Sequence, residues 1–272
     1  MILVTGANGN LGSATLAALR ARGVAATGGS RMPGAGMRRL DFDDPTSLDL
    51  AEVSTLVLVS AGYAEDDQVV GRHAAVLDAA VRDGVRHVVY TSLTTAGDHL
   101  GFALAHRATE RLVQASGLPW TILRNGLYAE LFGGLLRWAG NGVESAFGDG
   151  ALAAVAREDL ADAAALVAAD PARHSGRVHD LVSTPITAGQ VADRLGVPHR
   201  TIGLGEYRRR LLEETPGLLF QPPMLASIAT GIRHGFLDGT TPDLADLLGR
   251  PARDPLATAV AAASATRPET SA

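Results

Sequence analysis

The stretch Met1-Ile2-Leu3-Val4-Thr5-Gly6-Ala7-Asn8-Gly9-Asn10-Leu11-Gly12 decides the fold. An apolar run with the pattern of a buried strand passes straight into Gly6, Gly9 and Gly12. Gly6 permits a tight turn off the strand. Gly9 has no side chain to obstruct a pyrophosphate. Gly12 lets the following helix lie close to the sheet, with its N-terminal amides toward the phosphates. Glycines alone are weak evidence. Their place after a strand and before a helix from Leu11 to Arg22, ended by Gly23, is the context a dinucleotide cradle requires. A glycine-rich turn of some other α/β protein is the competing reading.

The residues after the second strand bear on which dinucleotide fits. An NAD site places an Asp or Glu about 20 residues beyond the glycines, on the ribose hydroxyl. The first forty residues hold no acid. The expected strand Val24 to Thr27 leads instead into Gly28-Gly29-Ser30-Arg31. A guanidinium there pairs bidentately with a 2′-phosphate, which a carboxylate would repel. Ser30 adds a hydroxyl, and Arg38 and Arg39 enlarge the positive field. The reading is NADP(H), against the alternative that Arg31 is an ordinary solvated arginine.

Apolar runs alternate with helical patterns. Strands are expected at Ile2 to Thr5, Val24 to Thr27, Met37 to Phe42, Thr55 to Ser60, His87 to Ser92 and Trp120 to Arg124. Helices are expected at Asp67 to Asp83 and Phe102 to Ser116. This is the pattern of a doubly wound parallel sheet of the Rossmann type. Ligands of such sheets bind beyond the carboxyl ends of the strands. Asp41, Phe42, Ser60 to Gly62, Thr91 to Leu93 and Arg124 to Tyr128 are therefore the positions to inspect. Asp41, Phe42, Ser60 and Thr91 join the cofactor candidates.

The predicted core spans 1–125. Residues 126–253 complete it and add a small C-terminal substrate lobe. Helices are expected there at Glu158 to Ala169, with Asp159 and Asp162 facing solvent, and at Thr187 to Leu195, capped by Thr187. Further helices are expected at Gly205 to Glu214, Pro222 to Thr230 and Pro242 to Leu248, with a strand at Val178 to Val182. Tyr207, Phe220, Met224 and Phe236 suggest an apolar far wall. Residues 254–272, rich in Ala, Thr, Ser and Pro, read as a flexible tail.

Composition narrows the function. The chain has 272 residues, 46% hydrophobic and 19% charged, with a formal net charge of −5, so nothing argues for nucleic acid or an anionic membrane as partner. It has no cysteine, which excludes disulfides and thiolate chemistry. A start directly in the first strand implies no signal peptide, and no apolar run has membrane-span length; a cytoplasmic location is expected. The eight histidines show no His-Glu-x-x-His pattern, so no metal site is expected.

The segments Val4-Thr5-Gly6-Ala7-Asn8-Gly9-Asn10-Leu11-Gly12, Tyr90-Thr91-Ser92-Leu93, Trp120-Thr121-Ile122-Leu123-Arg124-Asn125-Gly126 with Tyr128, and Ala156-Arg157-Glu158-Asp159-Leu160-Ala161 resemble the NmrA-like branch of the atypical short-chain dehydrogenase/reductases. Within it the chain is most similar to NADPH-dependent quinone oxidoreductases, with triphenylmethane reductases close by. The resemblance runs over about the first 250 residues and implies a Rossmann fold, NADP(H) and reduction of a quinone-like acceptor. It implies that Gly6, Ala7, Asn8, Gly9, Asn10 and Leu11 hold the pyrophosphate, that Gly12 supports the helix, and that Arg31 takes the 2′-phosphate. It also places His73, Asn125, Gly126, Tyr128 and Arg157 near the cofactor. His73 as a plain helix-face residue and Tyr128 as core are the competing readings.

One departure bears on mechanism. Ordinary short-chain dehydrogenases use a tyrosine and, four residues on, a lysine; this chain contains no lysine. His106 and Glu110 have that spacing on the corresponding helix, which puts them on one face. A quinone needs less acid catalysis than a ketone, because hydride addition gives a delocalised anion. His106, with an ordinary pKa near neutrality, is the candidate proton donor. The alternative is a surface His106–Glu110 pair. Ser92 is a candidate to hydrogen-bond the acceptor or ribose, and Tyr128 completes the catalytic candidates. Two functions stay open: an NADPH-dependent reductase of a small quinone-like acceptor, with a homodimer left open, and a non-catalytic NADP-binding redox sensor of the NmrA type.

Overall fold

The computed structural model describes residues 1–272 apart from 62, 63, 216, 218 and 269–272. The nucleotide half comprises β1 (Ile2–Val4), α1 (Asn10–Ala21), β2 (Ala26–Ser30), β3 (Arg38–Arg39), β4 (Thr55–Val59), α2 (Asp66–Arg82), β5 (His87–Leu93), α3 (Ala103–Ala115) and β6 (Trp120–Asn125). The chain continues through α4 (Ala129–Gly134), β7 (Arg137–Ala139), β8 (Gly142–Ser145), β9 (Ala151–Ala153), α5 (Arg157–Ala169), β10 (Arg177–Leu181), β11 (Pro185–Thr187), α6 (Ala188–Leu195) and β12 (His199–Thr201). It closes with α7 (Leu204–Glu214), α8 (Gln221–Arg233), α9 (Asp243–Leu248) and α10 (Pro255–Ala265).

Seven of these strands form one parallel sheet in the order β10-β6-β5-β4-β1-β2-β3. Its central strands are apolar on both faces, as a sheet covered twice requires: β1 and β5 are buried along their whole length. Leu16 and Leu19 of α1 and Leu160 of α5 cover one face over Val57 and Leu123. Val76 of α2 and Val113 of α3 cover the other over Leu56, Leu58 and Tyr90. Each such side chain contributes about 1.5–3 kcal/mol on burial. Helix ends agree with the helix dipole: Asp66 and Asp67 open α2 and Arg82 closes it.

The remaining strands pair outside the main sheet. β8 pairs antiparallel with β7 and parallel with β12, and β9 pairs antiparallel with β11. Phe132 stacks on Phe147 at 5.0 Å in a separate core with Leu136, Ile228 and Ile232. The Thr187 cap forms as expected, as a reciprocal capping box with Gln190. No described helix is long and apolar enough to cross a membrane.

Four expectations need correction. β2 runs through Gly28, Gly29 and Ser30 rather than ending at Thr27. Close packing favours glycine at both strand positions: a Cβ on Gly28 would lie 2.6 Å from the Ala7 Cβ, and one on Gly29 2.3 Å from Leu40. β3 shrinks from six expected residues to Arg38–Arg39, at the sheet edge. Asp159 does not face solvent. It is 0% exposed and accepts hydrogen bonds from Arg250 and from the Arg253 backbone. Residues 255–265 are not a flexible tail but helix α10, packed on α4. Its small residues allow the contact: a Cβ on Gly133 would lie 2.1 Å from the Ala259 carbonyl oxygen. Residues 269–272 of the expected tail lie outside the described residues.

Register brings the strand ends into one row. Val4 lies beside Val57, Val59 beside Thr91, Ser92 beside Arg124, and Leu93 beside Asn125. The crevice beyond these ends is where the candidate residues gather.

Candidate functional site

The turn after β1 has a geometry that suits a phosphate. Gly6 has φ +60, a conformation that L side chains resist, and its carbonyl accepts from the Gly9 N–H at 2.8 Å. The Ala7 N–H donates to the Gly29 carbonyl at 3.1 Å, which fastens the turn to β2. A Cβ on Gly12 would sit 2.3 Å from the Gly6 oxygen, so only glycine lets α1 approach this closely. Gly9 caps α1 without a side-chain hydrogen bond, and the first turn carries no acid. The amides of Asn10, Leu11 and Gly12 therefore face outward without intrahelical acceptors, suited to an anion. Asn8 reaches from this turn to the loop after β2.

On that loop, the exposed Arg31 guanidinium has no hydrogen bond or ion pair with a described residue. The two arginines expected to support it are engaged elsewhere. Arg38 donates to the carbonyls of Asp49 and Ala51, and Arg39 pairs with Asp44 at 2.9 Å. Asp41 and Phe42 follow β3. Asp41 accepts from the Asp43 N–H, and Phe42 stands edge-on to His73 at 6.5 Å.

Beyond β4, the Ser60 N–H donates to Thr91 Oγ1 at 3.1 Å and the Ala61 N–H to His73 Nε2 at 2.8 Å. Gly62 lies outside the described residues. Because His73 Nε2 accepts, Nδ1 carries the proton and donates to Thr109 Oγ1 at 2.8 Å; that hydroxyl donates on to the Ala105 carbonyl. His73 is 0% exposed. Burial, then the neighbouring His106 and Arg72, pull its pKa to about 3, so the ring is neutral. Its nitrogens are spent inside the protein. It reaches a cofactor only by holding the Ala61 backbone, which corrects the expectation of direct contact.

Across the crevice, Asn125 ends β6. It is 6% exposed, and its Oδ1 has no hydrogen-bond partner among the described residues. The Gly126 N–H donates to the Leu181 carbonyl at 2.8 Å, and a Cβ there would press on Leu181 O, Val155 and Val182 at 3.0–3.1 Å. Arg157 opens α5 over the Tyr128 ring, 4.9 Å from its centroid, and its backbone N–H is held by Glu130. Its Nε is also buried with no hydrogen-bond partner among the described residues. Buried polar atoms left open beside such a turn are positions where a polar ligand can supply the partner. Residues 6–12, Arg31, Asn125 and Arg157 fit a phosphorylated dinucleotide.

α3 differs from its sequence reading. His106 and Glu110 share a helix face but not a hydrogen bond. His106 Nδ1 meets the Tyr90 hydroxyl at 3.2 Å. Burial, then Arg107, lower its pKa to about 4, so it is uncharged at neutral pH and is no imidazolium donor. Glu110 accepts from Ser92 at 2.6 Å, from Arg107 at 2.6 Å and from both prongs of Arg124 at 2.9 and 2.6 Å. Burial pushes this carboxyl up, but Arg124, Ser92 and Arg107 outweigh it and hold it below its ordinary 4.5. The Ser92 hydroxyl is thus committed to a buried charge cluster rather than turned to the crevice.

In the lobe, Tyr207 and Met224 lie in the apolar core, whereas Phe236 is exposed and meets His99 at a tilt, with ring centroids 4.7 Å apart. A cavity of 790 Å³ beyond β10, lined by Ser183, Thr184, Gln190, Thr241 and Arg253 among others, includes none of the candidate residues. Tyr90, Thr109 and Arg107 belong to no motif that marks a role. Tyr90 and Thr109 act on residues 16 and 36 positions away, whereas Arg107 pairs with Glu110 one helix turn on, a spacing that could have marked it.

The NAD(P)H-binding family model matches residues 6–171. Quinone oxidoreductase 2 of Escherichia coli (strain K12) is 31% identical, over 92% of this chain and 94% of its own length. Its NADPH complex superposes with a TM-score of 0.81 at 29% identity, covering 95% of this chain and 98% of that one. The Citrobacter sp. triphenylmethane reductase complexed with NADP(H) gives a TM-score of 0.85 at 28% identity, over 96% and 99% of the two chains. A reductase of Streptomyces griseus, named for (4-alkanoyl-5-oxo-2,5-dihydrofuran-3-yl)methyl phosphate, is 31% identical over 93% of this chain and 94% of its own length.

Proposed function

We infer, from the premise that the chain belongs to the NAD(P)H-binding family, that it is an NADPH-dependent oxidoreductase reducing quinones or similar flat, conjugated acceptors. The observation that carries this reading is the state of α3. The face that in ordinary short-chain dehydrogenases bears tyrosine and lysine holds here a neutral His106 and a fully paired Glu110. No ammonium stands there to acidify a phenol, so the site is poorly equipped to protonate an alkoxide. It suits an acceptor whose reduced form is a stabilised anion. The three relatives are named for a quinone, a triphenylmethane and an unsaturated oxo-dihydrofuran, which supports a conjugated acceptor class.

Residues 6–12 hold the diphosphate, Arg31 takes the 2′-phosphate, and Asn125 Oδ1 and Arg157 Nε supply the open polar contacts. NADPH, when bound, supplies the hydride. The protein positions the acceptor, and a neutral imidazole at His106 hydrogen-bonds the oxygen on which charge collects. The final proton comes from water, because a phenolate-like anion is too weak a base to take one from neutral imidazole.

The test is NADPH consumption, followed at its absorbance band, with a panel of quinones and other conjugated acceptors. Acceptor-dependent oxidation with NADPH preferred over NADH is the expected result. Tight NADP(H) binding without turnover on any acceptor would replace this reading with that of a redox sensor.

A further inference from the structure

We propose that Tyr90 is a positioning residue that fixes the tautomer of His106, so that the imidazole presents an Nε2–H donor to the acceptor. The inference deepens the reductase reading and rests on it. Tyr90 is fully buried in β5, and its hydroxyl lies 3.2 Å from His106 Nδ1. The ring of His106 is held between that of Tyr90, at 6.4 Å, and the edge of Phe102, at 6.2 Å.

Proton bookkeeping sets the direction of the contact. The hydroxyls of Thr109 and Ser60 also flank the phenol oxygen. Thr109 has used its hydrogen on the Ala105 carbonyl and accepts from His73 Nδ1. A phenol is a better donor than an alcohol, and an imine-type imidazole nitrogen is a better acceptor than a hydroxyl. The arrangement that matches strong donor to strong acceptor sends the Tyr90 proton to Nδ1. The reverse arrangement moves the phenolic proton onto a weaker hydroxyl acceptor in a buried place, where poorly satisfied donors are costly. With Nδ1 accepting, the proton of the neutral ring sits on Nε2, which has no hydrogen bond to a described residue.

His106 is then an electrophile rather than an acid. Neutral imidazole donors polarise carbonyl oxygens in other enzymes when the charged form is disfavoured. Burial and Arg107 supply that condition here. Tyr90 in turn is kept as a phenol, since burial raises its pKa. The reaction stays balanced: the acceptor gains hydride from NADPH and one proton from solvent, and neither Tyr90 nor His106 changes its proton count.

The experiment combines nitrogen NMR with kinetics on the full chain. Protein labelled with ¹⁵N-histidine is recorded with NADP⁺ bound, and the His106 signals are assigned by their loss in His106→Gln. The wild type should show the Nε2–H tautomer. Tyr90→Phe, which keeps the ring and removes the donor, should release a mixture of tautomers. It should also lower kcat about tenfold, the scale for removing a partner that orients a functional histidine, with the NADPH Kd unchanged. A wild-type ring protonated on Nδ1, or a Tyr90→Phe protein that keeps a single Nε2–H form, would overturn the proposal. Should Tyr90→Phe not fold, the wild-type tautomer alone decides. An Nε2–H ring in a protein that reduces no acceptor would overturn the reductase reading, and with it the purpose given to Tyr90, while leaving the hydrogen bond established.

Discussion

Asn8 Nδ2 donates to the Met32 carbonyl at 2.7 Å, a single bond that ties the diphosphate turn to the loop carrying Arg31. On the proposed reading, this bond sets the two ends of the adenosine site relative to one another. Arg31→Ala should cost about 2 kcal/mol, roughly 30-fold, in NADPH affinity, and should leave NADH nearly untouched. Calorimetric titration with both nucleotides checks this, and equal losses would remove the 2′-phosphate assignment. Asn8→Ala should weaken both nucleotides together, because it loosens the turn as well as the loop.

Gly12→Ala places a methyl where the Gly6 oxygen lies 2.3 Å away. The turn must open or α1 must shift, at a cost of about 1–3 kcal/mol. Thermal unfolding should show the loss of stability, and NADPH titration a loss of affinity larger than for any substitution on the exposed face of α1.

Glu110→Gln leaves Arg107 and Arg124 without their shared anion, at a cost of about 3 kcal/mol. The folded pKa of Glu110 lies below its ordinary 4.5, so its contribution is complete above that value and is lost as pH falls through the lower folded one. Denaturant unfolding of the wild type should therefore weaken below pH 4.5 more steeply than that of Glu110→Gln. Parallel slopes would mean the cluster does not carry the charge described.

The buried histidines give a second pH signature. His106 is neutral in the fold down to about 4, but takes a proton near 6.5 when unfolded. Its stabilising contribution is whole above 6.5 and is lost as pH falls, at about 1.4 kcal/mol per unit. His106→Gln should remove that share of the slope between roughly pH 6 and 4.5, as read by denaturant midpoints.

Tyr207 is the reverse case. Its hydroxyl is buried without a partner among the described residues, and burial raises its pKa to about 12. Tyr207→Phe removes an unsatisfied group while keeping the ring. It should leave the protein as stable or raise stability by about 1 kcal/mol, visible as a higher midpoint of thermal unfolding.

The glycine turn was legible because its requirements are local: a strand, a reversal and a close helix within twelve residues. The NmrA-like resemblance carried by residues 123–128 was legible for the same reason, and the relatives agree with it. What failed involved distant partners. A helical wheel puts Asp159 on a polar face, but the arginines that bury it come from 91 and 94 residues further on. The spacing of His106 and Glu110 promised a pair. Tyr90 and Arg124, arriving from neighbouring strands, draw the two apart. The lobe strands have three or four residues, too few to show a period. α10 has only Leu256 and Val260 as larger apolar residues, because its partner α4 approaches through glycine and needs alanine opposite it.

The anchoring of Asp159 gives the carboxyl-terminal segment a role out of proportion to its place in the chain. A fragment stopped after Gly249 would retain every residue of the glycine turn, yet it would leave the buried Asp159 carboxylate of α5, the helix that braces α1, without Arg250 and Arg253. On the proposed reading, nucleotide binding leans on Arg250 and Arg253 through α5, and shortening the polypeptide from its far end should weaken binding while every residue of the glycine turn is still in place.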